Sequence, residues 1–370
     1  MRTRNSLAVV TAGCLGIAVA CPAVAVGAAG QRPAYRLFDV GGAIPGAVDT
    51  DVTGLTATAS TPGLVVGTYR NQARQLRGFV ARTGKDFRIL SVRSVNVSGA
   101  SDVIVTSVNR GGTVSGYYLS ATDNVMRGFL QDPQGKLTPF DHPNAVKHSA
   151  TEPEYWSDYG GTYPEQFADK GTVVGYYTIL RDNGTWWTRG FTWTRTGGWT
   201  SLDFAEVVHA PADVPPPGYG NQLFGMNDRG TLVGNGSFST GATSGTQRGI
   251  AVNGRHVITY AFPGPPTLPS GFCGWTSVQA INDVGIMVGN AGNGCEAWAR
   301  AWMIKAGRWS VLQYQDSRGR QAPQTVVVDV TGTGLITGTW SSWTGVNSHD
   351  WAAPDDSRAY GTWHGFIATT

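Results

Sequence analysis

Six ordered copies of one β-rich segment predict an all-β chain: a six-bladed β-propeller of four-stranded antiparallel blades, closed by its N-terminal strand. A glycine closes a β-rich run at Gly67, Gly116, Gly175, Gly234, Gly289 and Gly338, at intervals of 49, 59, 59, 55 and 49 residues. A second motif follows each run: Arg77-Gly-Phe79, Arg127-Gly-Phe129, Arg189-Gly-Phe191, Arg248-Gly-Ile250, Arg300-Ala-Trp302 and His364-Gly-Phe366. The composition agrees, since 51 of 370 residues are Gly and only 14% are charged, while 11% are aromatic. Such a chain has core material enough to exclude disorder, and it favours short strands and turns over long helices.

The first element reads as an export signal. Met1-Arg-Thr-Arg4 is basic, Ser6 to Ala20 is apolar, and Ala23-Val24-Ala25 places cleavage after Ala25. Pro22 and Gly27 interrupt a stretch already short for a membrane span. Cys21, after Ala18-Val19-Ala20, leaves a lipid-anchored form as the alternative. The expected organisation is therefore a signal peptide at 1–25, a linker at 26–34 and a single propeller domain at 35–370. The mature protein is expected to be secreted, monomeric and not membrane-spanning. Loss of Arg2 and Arg4 takes the net charge from +3 to +1. That leaves no basic footprint for a nucleic-acid partner.

Each unit then holds four strands. Strand A ends near Val108-Asn109, Gly225-Met-Asn227 or Ala280-Ile-Asn282, and strand B is the Gly-x-Val-Val-Gly run. Strand C begins at the Arg-Gly-Phe motif, and strand D follows a short turn, as in Leu137-Thr-Pro-Phe140. The closing glycine of strand B is expected where inner strands of neighbouring blades converge. The sixth unit stops after strand C, while Tyr35-Arg-Leu-Phe-Asp39 resembles Leu137-Thr-Pro-Phe-Asp141. The N-terminal segment thus supplies the missing strand and hides an edge.

The runs Ala280-Ile-Asn-Asp-Val-Gly-Ile-Met-Val-Gly289 and Gly225-Met-Asn-Asp-Arg-Gly-Thr-Leu-Val-Gly234 resemble the bacterial extracellular repeats of the HAF family. Those repeats follow this core with His-Gly-Phe; here only His364 keeps the His, and Arg replaces it in most copies. The resemblance covers nearly the whole mature chain. It implies an exported repeat protein and no particular activity.

The two ends of the blades differ. The A–B and C–D turns are tight, and their Asn-Asp-x-Gly sequences suit positive φ rather than calcium binding. The other face carries long segments: crossovers at His142–Gln166, Ala205–Gln222 and Pro263–Thr276, and B–C loops at Thr178–Thr188, Ser237–Gln247, Ala291–Ala299 and Ser341–Trp363. Long loops in a compact fold mark a working face. Trp156, Tyr159, Trp187, Trp343 and Trp351 fall there, beside carboxylates, a combination that suits sugar stacking and hydroxyl recognition.

The sequence therefore points to a non-catalytic secreted protein whose partner is a carbohydrate or cell-envelope polymer. A protein-interaction platform binding another extracellular protein is one alternative. A polysaccharide-directed hydrolase or lyase is the other, with His142, His148, Glu154, Asp158, His349 and Asp350 at the channel mouth. No cofactor or metal motif is present: there is no P-loop, dinucleotide fingerprint, Gly-x-Ser-x-Gly elbow or zinc spacing. Cys273 and Cys295 flank antiparallel strands of the fifth unit and are expected to form a disulfide in an oxidising compartment.

Overall fold

The computed structural model describes residues 33–58, 60–148, 160–180, 184, 186–202, 220–238, 246–254, 256–262, 274–293, 296–341 and 363–369. Among them the chain is all-β, with one 3-10 turn at Lys85–Phe87. No helix among the described residues is long and apolar enough to cross a membrane. The expected signal peptide and Cys21 lie outside the described residues.

Strand β1 (Ala34–Phe38) precedes three separate four-stranded antiparallel sheets. The first holds β2 (Asp49–Leu55), β3 (Gly63–Arg70), β4 (Leu76–Thr83) and β5 (Ile89–Val95). The second holds β6 (Ala100–Val108), β7 (Val114–Ser120), β8 (Met126–Gln131) and β9 (Leu137–Pro139). The third holds β10 (Thr162–Phe167), β11 (Thr172–Leu180), β12 (Trp186–Thr194) and β13 (Gly198–Leu202).

The remaining strands form one 12-stranded mixed sheet. Its antiparallel groups are β14 (Asn221–Met226), β15 (Leu232–Phe238), β16 (Thr246–Asn253) and β17 (His256–Tyr260); then β18 (Gly274–Ile281), β19 (Met287–Asn293), β20 (Glu296–Lys305) and β21 (Arg308–Leu312); then β22 (Gln324–Val330), β23 (Leu335–Ser341) and β24 (Trp363–Thr369) with β1. Separate blades were expected throughout; here three groups merge. Single parallel bridges, Gln247↔Trp275 and Arg300↔Thr325, are what join them. Similar one-residue approaches occur at Met126↔Gly161 and Thr188↔Gly220. The merger therefore reflects close approach of strand C to the next strand A, not an altered strand order.

The pairing expected of the N-terminal segment is present: β1 runs antiparallel to β24, from Ala34↔Thr369 to Phe38↔Gly365. The ring of Phe38 is buried and stacks on Phe79 at 6.4 Å. His364 Nδ1 lies 2.8 Å from Asp39 Oδ2. The equivalent ion pair in the second unit is Arg127–Asp141, at 3.5 Å. Strand β1 thus repeats the side-chain pairing of an internal D strand as well as its backbone register.

The glycine pattern has a different cause from the one expected. A Cβ on Gly175 would stand 2.1 Å from Tyr163 O and 3.0 Å from the Phe191 ring. A Cβ on Gly67 would meet Asp51 O and the Phe79 ring in the same way. The closing glycine therefore lets strand A and the aromatic of the second motif press onto strand B within one unit. Approach between units falls to the glycine of the second motif. A Cβ on Gly78 would lie 2.5 Å from Val105, and one on Gly365 would lie 2.6 Å from Val52.

The Asn-Asp-x-Gly sequences form the expected turns. Asn227 Oδ1 accepts from the backbone N–H groups of Arg229 and Thr231 at 3.1 and 3.0 Å, and Gly230 has φ +83°. The turns also tie neighbouring units: Asp228 N donates to Asp283 Oδ1 at 2.7 Å, and Asn282 Nδ2 to Thr331 O at 2.9 Å.

Two B–C loops are shorter than expected. Strands β19 and β20 extend to Asn293 and from Glu296, so the segment read as Ala291–Ala299 is mostly ladder. Strand β12 begins at Trp186, which puts Trp187 opposite Ile179 in the sheet rather than in a loop.

Candidate functional site

The strands β2, β6, β10, β14, β18 and β22 each carry a bulge at the same place. The ladder skips one residue between Val52 and Gly54, Val105 and Ser107, Pro164 and Gln166, Leu223 and Gly225, Val278 and Ala280, and Val327 and Asp329. The residues left out are Thr53, Thr106, Glu165, Phe224, Gln279 and Val328. A bulged residue leaves the pairing pattern and re-aims its side chain. All six line one cavity of about 350 Å³.

That cavity is common to β2, β6, β10, β14, β18 and β22. Its polar lining includes Thr68, Ser107, Gln166 and Asn290, and its aromatic lining is Tyr117, Phe224 and Trp275. Several polar groups also hold the wall together. Thr53 Oγ1 donates to Val105 O and Thr106 Oγ1 to Pro164 O, each at 2.7 Å. Asn290 is held on both sides by Val327, donating to its carbonyl at 2.8 Å and accepting from its N–H at 3.0 Å.

Three carboxyl groups face this space: Asp51, Glu165 and Asp329. Among the described lining residues none is Lys, Arg or His. Desolvation without a counter-charge favours the neutral acid. Burial pushes Asp51 up to about 7 and Glu165 up to about 8. Asp329 rises to about 6, held back by the Val330 N–H that it accepts at 2.7 Å. The Oδ1 of Asp51 has no hydrogen-bond partner. No three His, Cys, Asp or Glu among the described residues stand close enough to hold one metal ion.

A belt of rings borders Glu165. Tyr163 stacks on Tyr176 at 4.6 Å, meets Tyr117 edge-on at 5.1 Å, and Tyr176 meets Phe224 at 6.3 Å. Burial raises the Tyr117 and Tyr176 phenols well above their ordinary value, and the charge of Glu165 adds to it. These phenols stay neutral and can donate.

Of the residues singled out from the sequence, the described ones, His142, His148 and Trp187, do not line this cavity. His142 is buried, stacked on Tyr177 at 3.7 Å and edge-on to Trp199 at 4.7 Å. Its Nδ1 accepts from Asn144 N at 3.2 Å, and burial, helped by the Arg189 charge, lowers it to about 4. It is a neutral packing ring in the third unit. His148 meets Trp186 edge-on at 5.5 Å. Trp187 packs where a Cβ on Gly220 would be 2.3 Å from its Nε1. Glu154, Trp156, Asp158, Tyr159, Trp343, His349, Asp350, Trp351, Cys273 and Cys295 lie outside the described residues.

The cavity carboxylates were not singled out from sequence. Aligning the six A strands at the residue before the bulge picks out one of the three, Glu165, against Val52-Thr, Val105-Thr, Leu223-Phe, Val278-Gln and Val327-Val, and leaves Asp51 and Asp329 outside the aligned pair. Only the second position varies in polarity and charge.

No family model and no curated protein matches the chain. Among solved structures it is similar to the Penicillium chrysogenum α-L-arabinanase complexed with arabinobiose. Identity is 11%, coverage 88% of this chain and 93% of that one, and the TM-score 0.45. It is also similar to the β-propeller domain of the Trilobed protease from Pyrococcus furiosus, at 8% identity, 84% and 99% coverage and a TM-score of 0.40. A third is the PQQ-bound aldose sugar dehydrogenase from Streptomyces coelicolor, at 14% identity, 92% and 100% coverage and a TM-score of 0.39. Likenesses this distant transfer neither substrate nor chemistry.

Proposed function

We propose that the chain is an exported six-bladed propeller, its ring completed by β1, that binds carbohydrate in its central cavity without turning it over. The ring reading is supported by one cavity drawing on six innermost strands, and by Gly365 of the last unit approaching Val52 of the first. Export rests on the N-terminal sequence and on the resemblance to HAF repeats. The binding reading rests on one observation: aromatic rings, carboxyl groups, amides and hydroxyls line a single cavity. Sugars offer apolar ring faces to the former and hydroxyls to the latter.

The test is retention on immobilised envelope and plant polysaccharides, with Gln279→Ala and Trp275→Ala as variants and thermal melting as the folding control. Wild type is expected to be retained, and folded variants to lose at least ten-fold in affinity. Retention unchanged in both, or no polysaccharide bound, overturns the reading.

A hydrolytic reading is favoured by one feature. Glu165, raised to about 8, holds a proton at neutral pH, as a general acid must. Release of reducing ends by wild type and not by Glu165→Gln would replace binding with cleavage.

A further inference from the structure

We propose that the ligand of the central cavity carries protonated amines, the chemistry of a de-N-acetylated amino-sugar oligomer. This rests on the carbohydrate reading above and narrows it.

The inference starts from an imbalance of charge. Asp51, Glu165 and Asp329 line the cavity, and no basic side chain among the described lining residues faces them. Asp51 Oδ1 is inaccessible to solvent and accepts no hydrogen bond. A buried acceptor without a partner is costly and marks a place where a ligand group completes the wall. The other titratable groups set against Glu165 are the phenols of Tyr117 and Tyr176, which burial keeps neutral.

The distribution of the carboxyls selects the kind of cation. They sit on β2, β10 and β22, and they do not gather into a set that could hold one metal ion. In chain order β22 and β10 are three innermost strands apart, on opposite sides of the proposed ring. A ligand answering both needs cationic groups spaced across the cavity. Between them it meets Tyr117, Phe224 and Trp275, whose ring faces suit both sugar stacking and ammonium groups. A neutral sugar would leave the buried carboxyls without a cation to favour their ionised forms.

An ammonium beside these acids favours their ionised forms, so they release protons on binding. Asp51 and Glu165, raised towards neutrality by burial, are the groups positioned to do so.

Calorimetric titration with three trimers tests this: glucosamine, N-acetylglucosamine and glucose, each at pH 6.5 in two buffers of different ionisation heat. The glucosamine trimer is expected to bind at least ten-fold more tightly than the others and to release protons. Asp51→Asn, and independently Asp329→Asn, should lose that preference, so that the glucosamine trimer binds each variant no more tightly than the neutral trimers bind it. Equal affinity for all three, or preference without proton release, overturns the amine inference and leaves carbohydrate binding standing. Binding of none of the three overturns this inference and tells against the carbohydrate reading as well. A calcium titration giving tight binding that Asp51→Asn abolishes would overturn it in favour of a metal site.

Discussion

Replacing Phe38 by Ala should unfold the protein at a markedly lower temperature, although the residue lies in a five-residue strand at one end of the described chain. Phe38 is 3% exposed and packs with Val40, Val52, Phe79 and Ile367, so its ring joins β1 to both the first sheet and β24. Truncating a buried Phe costs about 3–5 kcal/mol through lost burial and the cavity left behind. For a chain of this size that corresponds to a fall in the melting midpoint of roughly 4–7 °C. Leu37, 55% exposed on the same strand, serves as the control. Leu37→Ala should change stability by no more than about 0.5 kcal/mol. A chain beginning at Gly42 should be weaker than Phe38→Ala, since it also loses Val40, the Asp39–His364 contact and the ladder to β24. The assay is differential scanning calorimetry with urea unfolding as the cross-check. An unchanged midpoint for Phe38→Ala or for the truncation would refute the view that β1 is an integral strand of the last unit.

The His364 imidazole is held above its ordinary value by its hydrogen bond to Asp39. A raised base stabilises fully in acid and loses that stabilisation as pH rises through its folded value. His364→Arg, copying the Arg127–Asp141 pair, should remove this component from melting curves taken between pH 5 and 9. Glu165, raised to about 8, acts in the same direction, its cost appearing as pH climbs from the ordinary carboxyl range to about 8. Glu165→Gln should therefore raise the midpoint at pH 8 and leave it unchanged at pH 4. Gly175→Ala places a Cβ 2.1 Å from a backbone carbonyl and should cost about 1–3 kcal/mol or more in urea titrations. Gly274 and Asn293 are register partners, and they adjoin Cys273 and lie two residues from Cys295 in the chain. Mass spectrometry of unreduced, alkylated protein should find no free thiol, and reduction should cost about 3 kcal/mol for the loop closed.

Strand order and turns were legible because they repeat and because each has a local cause. A positive φ demands Gly at Gly230 and Gly285, and an Asn before it can bond its own turn, so the motif survives in the sequence of one unit. The spare strand was legible because Phe38-Asp39 and Phe140-Asp141 are alike. The cavity was not legible, because a bulge is a shift of register between two strands, and a shift leaves no mark in the alternation of one. Glu165 between Pro164 and Gln166 reads as a solvated position when its strand is taken alone. Its burial is a property of the several strands that line the cavity together. His142 misled in the opposite way: a His beside a crossover looked available, but the aromatic partners Tyr177 and Trp199 come from strands far along the chain and enclose it.

The bulges also explain how one repeated unit can carry an asymmetric site. The residue before each bulge is part of the core and barely changes: Val52, Val105, Leu223, Val278 and Val327 are all fully buried. Their size is fixed by packing, and a polar substitution there would be costly. The bulged residue has no partner in the ladder and lines the cavity, so strand pairing does not dictate its type, although Thr53 and Thr106 also tie their strands to a neighbouring carbonyl. It is Thr, Thr, Glu, Phe, Gln and Val in successive units. Each unit therefore contributes one variable side chain to a shared space while its backbone stays the same. Chemical difference between the units is concentrated where they line the shared cavity, and that lining can change by single substitutions that leave the strand register intact.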